Sequence, residues 1–140
     1  MAKSRKPHDR LVPGAFWHGE CAGCSDDSRA VKVDLGEGLR TVTRVKRCKS
    51  VGDLVVDFSV GVQSEHPDMP KPADVIRGCS SHANYHWHRW DFQYPRRDLP
   101  AESLCQLDSV LQVHNCFIDS THRISGQAVD WREQWLPTSN

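Results

Sequence analysis

Residues 54–62 read Leu-Val-Val-Asp-Phe-Ser-Val-Gly-Val, so Leu54, Val56, Phe58, Val60 and Val62 share one side of an extended chain while Asp57, Ser59 and Gly61 share the other. Successive side chains of a strand point to opposite faces, and this alternation predicts a strand with one face buried. A sheet of that kind needs a covering layer. Residues 31–35 alternate as a shorter strand, and Gly36-Glu37-Gly38 reads as the turn into a second strand over 39–47. Three prolines within residues 65–72 exclude regular structure there, after which strands are expected at 73–78 and 85–92, joined by a turn over 79–84. Beyond a break at 94–100, the residues Leu104, Leu107, Leu111, His114 and Ile118, with Val110 and Phe117 beside them, fit one side of a 3.6-residue period. A helix of about five turns is predicted, starting near Asp98 and Pro100, whose cap and missing amide hydrogen suit a helix beginning. Trp131 and Trp135, spaced i, i+4, read as a short closing helix or strap. The predicted class is α+β, an antiparallel sheet of four to six strands packed against one main C-terminal helix.

At 140 residues the chain fits a single domain. Residues 1–13, basic and broken by Pro7 and Pro13, are expected to form a flexible arm, with 14–140 as the folded unit and Phe16 and Trp17 as anchors at the join. No apolar run approaches the roughly 20 residues needed to span a bilayer, and none follows the basic N-terminus that could form the core of a secretion signal. A cytoplasmic protein without a membrane partner is expected. Formal charge sums to zero, which argues against an overall electrostatic grip on nucleic acid. The charges are nevertheless uneven: Arg40, Arg44, Lys46, Arg47 and Lys49 are five bases with no acid between them, either a phosphate-facing patch or a solvated edge strand kept apart from other chains by its charge.

Six cysteines without an export signal point to thiols or metal ligands rather than to a disulfide framework. Cys105 and Cys116 fall in the helical pattern and read as small core residues. His18-Gly19-Glu20-Cys21-Ala22-Gly23-Cys24 contains a glycine-bearing Cys-x-x-Cys turn with a histidine three residues before it. With Cys48 as the fourth donor, His18, Cys21 and Cys24 would complete a tetrahedral zinc site. Unpaired thiols and a redox dithiol are the competing readings.

The segment His82-Ala83-Asn84-Tyr85-His86-Trp87-His88-Arg89-Trp90-Asp91-Phe92 concentrates three of the chain's eight histidines in eleven residues. An extended segment places His86 and His88 on one face, with Tyr85, Trp87 and Arg89 on the other. The cluster supports three readings. In a metal-free ribonuclease site, His82, His86 and His88 would exchange protons with the ribose 2′-hydroxyl and the leaving oxygen while Arg77 or Arg89 balances charge on phosphorus. In a metal site, His86 and His88 would ligate zinc or a similar borderline ion, with His82 or Cys79 arriving from the turn. In a structural role, the imidazoles would fill a half-exposed sheet face. Trp87, with Tyr85 and Trp90, is a candidate for stacking on unpaired bases; large rings on a strand are otherwise core.

The residues Ile76-Arg77-Gly78-Cys79-Ser80-Ser81-His82-Ala83, followed by His86-Trp87-His88-Arg89-Trp90, resemble the pattern V-R-Y-D-x-x-H-G-x-x-H-x-H-R-[YFW] of a family of small, uncharacterised prokaryotic and phage-borne domains. The similarity spans roughly residues 54–120. This chain has Cys79 where that pattern has aspartate and Ala83 where it has glycine. A looser similarity, carried by Arg89-Trp90-Asp91 and the histidine-rich strand, runs to the TumE-type toxins. That resemblance implies a growth-inhibiting protein acting on RNA or the translation machinery. The expected function is therefore a toxin-like action on RNA at the His/Arg cluster, and the alternative is a non-catalytic, zinc-stabilised module that binds a host protein.

Overall fold

The computed structural model describes residues 11–19, 22–25, 29–95, 97–99 and 102–137. Six strands form one antiparallel sheet in the order in which they occur along the chain. They are β1 (Val31–Gly36), β2 (Leu39–Cys48), β3 (Leu54–Ser64), β4 (Ala73–Cys79), β5 (Asn84–Arg89) and β6 (Glu102–Gln106), followed by the single helix α1 (Val110–Trp135). The sheet and its one C-terminal helix are the α+β arrangement that the alternating pattern predicts.

Register assigns the two faces. Phe58 lies opposite Val45, and Val60 lies between Thr43 and Gly78, which in turn faces Trp87. Directly opposed residues project to the same side, and Phe58 meets Phe117 of the helix while Trp87 meets Trp131, so this is the helix side. It holds Phe58, Val60, Val62, Tyr85 and Trp87 beneath Val113, Ile124, Ala128, Trp131 and Trp135. The other face, not covered by the helix, carries Arg44, Lys46, Asp57, Ser59, Arg77, Cys79, His86 and His88.

The C-terminal third departs from the predicted pattern. Residues 102–106 pair with β5 as a strand and do not open the helix, which begins at Val110 with Ser109 as its cap, the Ser109 hydroxyl accepting from the Gln112 amide. The buried stripe is Val113, Ser120, Ile124, Ala128, Trp131 and Trp135, whereas Leu111 is 57% and Ile118 42% exposed. A search for large apolar residues misses this stripe because its middle is a serine and an alanine. Gly78 lets Ser120 sit close to the sheet: a methyl group there would sit 2.7 Å from the Ser120 hydroxyl and 3.0 Å from the Trp87 ring. Gly78→Ala is expected to destabilise the fold by about 1–3 kcal/mol through overpacking, measurable as a lowered urea midpoint with unchanged slope. Trp131 and Trp135 occupy the last turns of this same helix rather than a separate closing element.

The strap over 11–19 crosses the end of β5 and β6: Gly14 N–H donates to Ala83 O, Phe16 N–H to Leu107 O, and the Asn84 side-chain amide to Val12 O. Phe16 packs against the core, but Trp17 is 84% exposed and does not anchor the join as predicted. The start of the expected flexible arm, residues 1–10, lies outside the described residues. Among the described residues no helix is long and apolar enough to cross a membrane.

Candidate metal centre

Strand pairing places Cys79 opposite His86 and Arg77 opposite His88, all on the face away from the helix. Cys79 Sγ lies 3.1 Å from His86 Nε2, and His86 Nε2 lies 3.0 Å from His88 Nε2. The three donor atoms fall within 4.8 Å of one another.

The other nitrogens of the two rings are fixed. His86 Nδ1 is 2.7 Å from Asn84 O, and a carbonyl oxygen only accepts, so Nδ1 carries the hydrogen. His88 Nδ1 is 3.0 Å from Asp98 Oδ2, again a donor facing an acceptor. Neutral rings held this way turn two Nε2 lone pairs toward each other at 3.0 Å. Like poles at that separation repel unless a cation, a proton or a metal ion, lies between them. Imidazoles anchored through the second nitrogen by a backbone carbonyl and by a carboxylate are also the usual outer shell of metal-binding histidines.

Burial raises the Cys79 thiol, but hydrogen bonding to His88 and Ser81 and the charge that His88 carries when a proton takes the place of a metal ion outweigh it, and the thiol is held below its ordinary value. His86 is pushed down by burial and by Arg77, against the smaller upward pull of the Asn84 carbonyl and Asp98, which favours its neutral form. One thiolate and two imidazoles form a donor set suited to zinc. Tetrahedral zinc with Zn–S near 2.3 Å and Zn–N near 2.0 Å implies N···N of about 3.3 Å and S···N of about 3.6 Å, so His86 needs to separate from Cys79 and from His88 by only a few tenths of an ångström.

Cys79 opens onto a pocket of about 650 Å³ on the uncovered sheet face, with Arg44, Lys46, Asp57, Ser59 and Arg77 in its wall. Asp57 accepts from the Ser80 hydroxyl at 2.7 Å, and Asp74, also in the wall, is near the Gln63 amide at 3.0 Å. The Arg77 guanidinium lies 5.1 Å from the centre of the Trp90 ring, a cation–π contact that orients it. Its buried Nε has no hydrogen-bond partner among the described residues.

The structure divides the residues singled out from sequence. Cys79, His86, His88 and Arg77 come together. His82 is exposed on the 3-10 turn Ser81–Ala83 with its ring centre 6.5 Å from that of His86, outside the donor set. Arg89 projects from the opposite face, where it reaches Gln134 at 3.5 Å, because adjacent strand residues alternate sides. Trp87 is 3% exposed beneath the helix and cannot stack on a base. Of the basic run, Arg44 and Lys46 reach the pocket, while Arg40 donates to Gln63, Arg47 donates to Asp53 O, and Lys49 leaves the strand on the following 3-10 turn. Asp98, read from sequence as a helix cap, is instead the carboxylate behind His88, since Trp90 and Asp98 pair across an isolated bridge.

A second donor cluster lies at the end of β2. His18 Nε2 is 3.1 Å from Cys24 Sγ, Cys24 pairs with Cys48 across an isolated bridge, and the three donors lie within 4.8 Å of one another. Cys21 lies outside the described residues. Cys105, on β6 rather than in the helix, has its sulfur 3.6 Å from that of Cys116, whose thiol is pushed up to about 12 by burial and by Cys105. No protein family, no curated protein and no solved structure matches the chain.

Proposed function

We propose that the chain is a small metal-dependent hydrolase that cuts phosphodiesters of RNA in a toxin-like manner, with zinc held by Cys79, His86 and His88. The observation that carries this reading is the buried donor set of Cys79, His86 and His88, of which Cys79 lines a pocket that also contains Arg44, Lys46 and Arg77. Three protein ligands leave a fourth position for water or substrate, as catalytic zinc sites do. Zinc at such a site supplies Lewis acidity and activates water near neutral pH.

The side chains provide the rest. Asn84 O and Asp98 hold the imidazoles in the donor tautomer. Arg77, oriented by Trp90 and with a buried donor still to satisfy, suits a phosphate oxygen, as do the charges of Arg44 and Lys46. The metal-free acid–base alternative fits less well, because His86 and His88 are 0% and 1% exposed and exchange protons poorly with a bound nucleotide. That same burial favours a second reading, a zinc-stabilised module that binds a host protein.

Zinc-loaded protein incubated with single-stranded RNA separates the two. Cleavage that is lost with a chelator and with Cys79→Ser, and that shows a raised KM with Arg77→Ala, supports the hydrolase. Intact RNA in the presence of protein carrying its full zinc supports the binding module.

A further inference from the structure

A zinc ion would be as much at home at the end of β2 as at the β4–β5 cluster, and the case there is independent of any catalytic reading. We infer that His18, Cys24 and Cys48 hold a structural zinc ion that fastens the N-terminal strap to the sheet. The donors come from two separate pieces of chain. His18 and Cys24 belong to the strap and its turn, while Cys48 is the last residue of β2 and fully buried.

The backbone already holds the two pieces in register: Ser25 N–H donates to Arg47 O at 2.9 Å, and Lys49 N–H donates to Gly23 O at 2.8 Å. Gly23 permits this approach, because a methyl group there would collide with the Ser50 hydroxyl and crowd its backbone nitrogen. The ring of His18 lies nearly parallel to that of Phe16, 6.4 Å between centres with the planes 13° apart, and its Nε2 is 3.1 Å from Cys24 Sγ. A donor set with two thiolates selects zinc among the common divalent ions, and sulfur-rich sites are characteristically structural. Both thiols lose their protons on binding, and the energy of coordination becomes energy of folding because the unfolded chain has no such site.

The site also has a place in the architecture. Phe16, Trp17 and His18 wall a cavity of about 200 Å³ whose other side includes Lys46, Asp57 and Ser81, and these three residues also line the larger pocket that Cys79 opens onto. Fixing His18 therefore fixes one rim of the groove that leads to the β4–β5 cluster. Loss of this zinc is expected to loosen the rim without removing any donor from Cys79, His86 or His88.

The test is metal content together with thiol protection on the whole protein. Cys24→Ser is expected to carry one equivalent of zinc fewer than the wild type, whatever the β4–β5 cluster binds, and Cys105→Ser the same amount as the wild type. Cobalt in place of zinc should show intense sulfur-to-metal charge transfer in the wild type, weakened in Cys24→Ser. Should Cys24→Ser fail to fold, alkylation of the folded wild type followed by peptide mapping decides: Cys24, which unlike Cys48 is only partly buried, is expected to be protected with zinc and modified after chelation. Equal zinc in Cys24→Ser and wild type, equal alkylation with and without zinc, or a disulfide joining Cys24 to Cys48 would each overturn the assignment.

Discussion

His88→Ala is expected to abolish tight zinc binding at the β4–β5 cluster, and Asp98→Asn to weaken it by about 10–100-fold, as read by competition with a chromophoric chelator. The order of the two effects is the informative part. His88 supplies a donor atom, whereas Asp98 acts through His88 by holding its Nδ1 hydrogen at 3.0 Å. An asparagine there still accepts a hydrogen bond but no longer contributes charge, so the ring keeps its orientation and loses basicity. A purely structural imidazole pair predicts a different outcome. With no metal to hold, removing one of two facing lone pairs relieves repulsion at 3.0 Å, and His88→Ala would lose only the packing of one ring while zinc content stayed unchanged. Any RNA cleavage should follow the metal through the same series, falling furthest in His88→Ala and less in Asp98→Asn. Metal affinity that ignores Asp98 while depending on His88 would mean that the carboxylate is a surface partner and not part of the centre.

How far the sequence reveals this site depends on which residues act through local pattern and which through register. The alternation of 54–62 is enough to establish β3 and the side it buries, and the spacing of His86 and His88 puts both imidazoles on one face. Cys79 is a weaker inference, because its place opposite His86 follows from strand pairing and not from neighbourhood in the chain. Asp98 is not legible at all: a residue ten positions beyond His88, next to a proline-rich break, has the local signature of a helix cap, and only the return of the chain past Trp90 brings it to the ring. The same limit explains the missed strand. Glu102 to Gln106 holds a leucine and a cysteine that fit a helical period and an alternating one equally well, and pairing with β5 decides between them. The N-terminal cluster was readable because cysteine and histidine are rare enough for spacing alone to nominate them, even though the approach of Cys48 is again a matter of tertiary structure. Ala83 shows the converse. Its φ of 52° is the left-handed conformation that glycine adopts most easily, so an alanine at this turn leaves local strain that no pattern in the sequence announces.

Trp131→Ala is expected to destabilise the protein by about 3–5 kcal/mol, a loss of roughly 10–20 °C in Tm for a chain of this size. The indole is nearly buried, and its ring centre lies 5.1 Å from that of Trp87, which is itself 3% exposed. Deleting it opens a cavity between the helix and β5 that neighbouring rings are too rigid to fill. The variant also tests whether the two sides of β5 act independently, because Trp87 and the two histidines alternate along the same six residues. Zinc stabilises the folded state by an amount set by its concentration over its dissociation constant, about 2.7 kcal/mol at a hundredfold excess. If the helix side only supports the sheet, zinc restores the same increment to Trp131→Ala as to the wild type, since distant sites add. A smaller increment in the variant would show that the indole pair holds β5 in the position that brings His86 and His88 to Cys79, making the core beneath the strand part of what preorganises the donors above it.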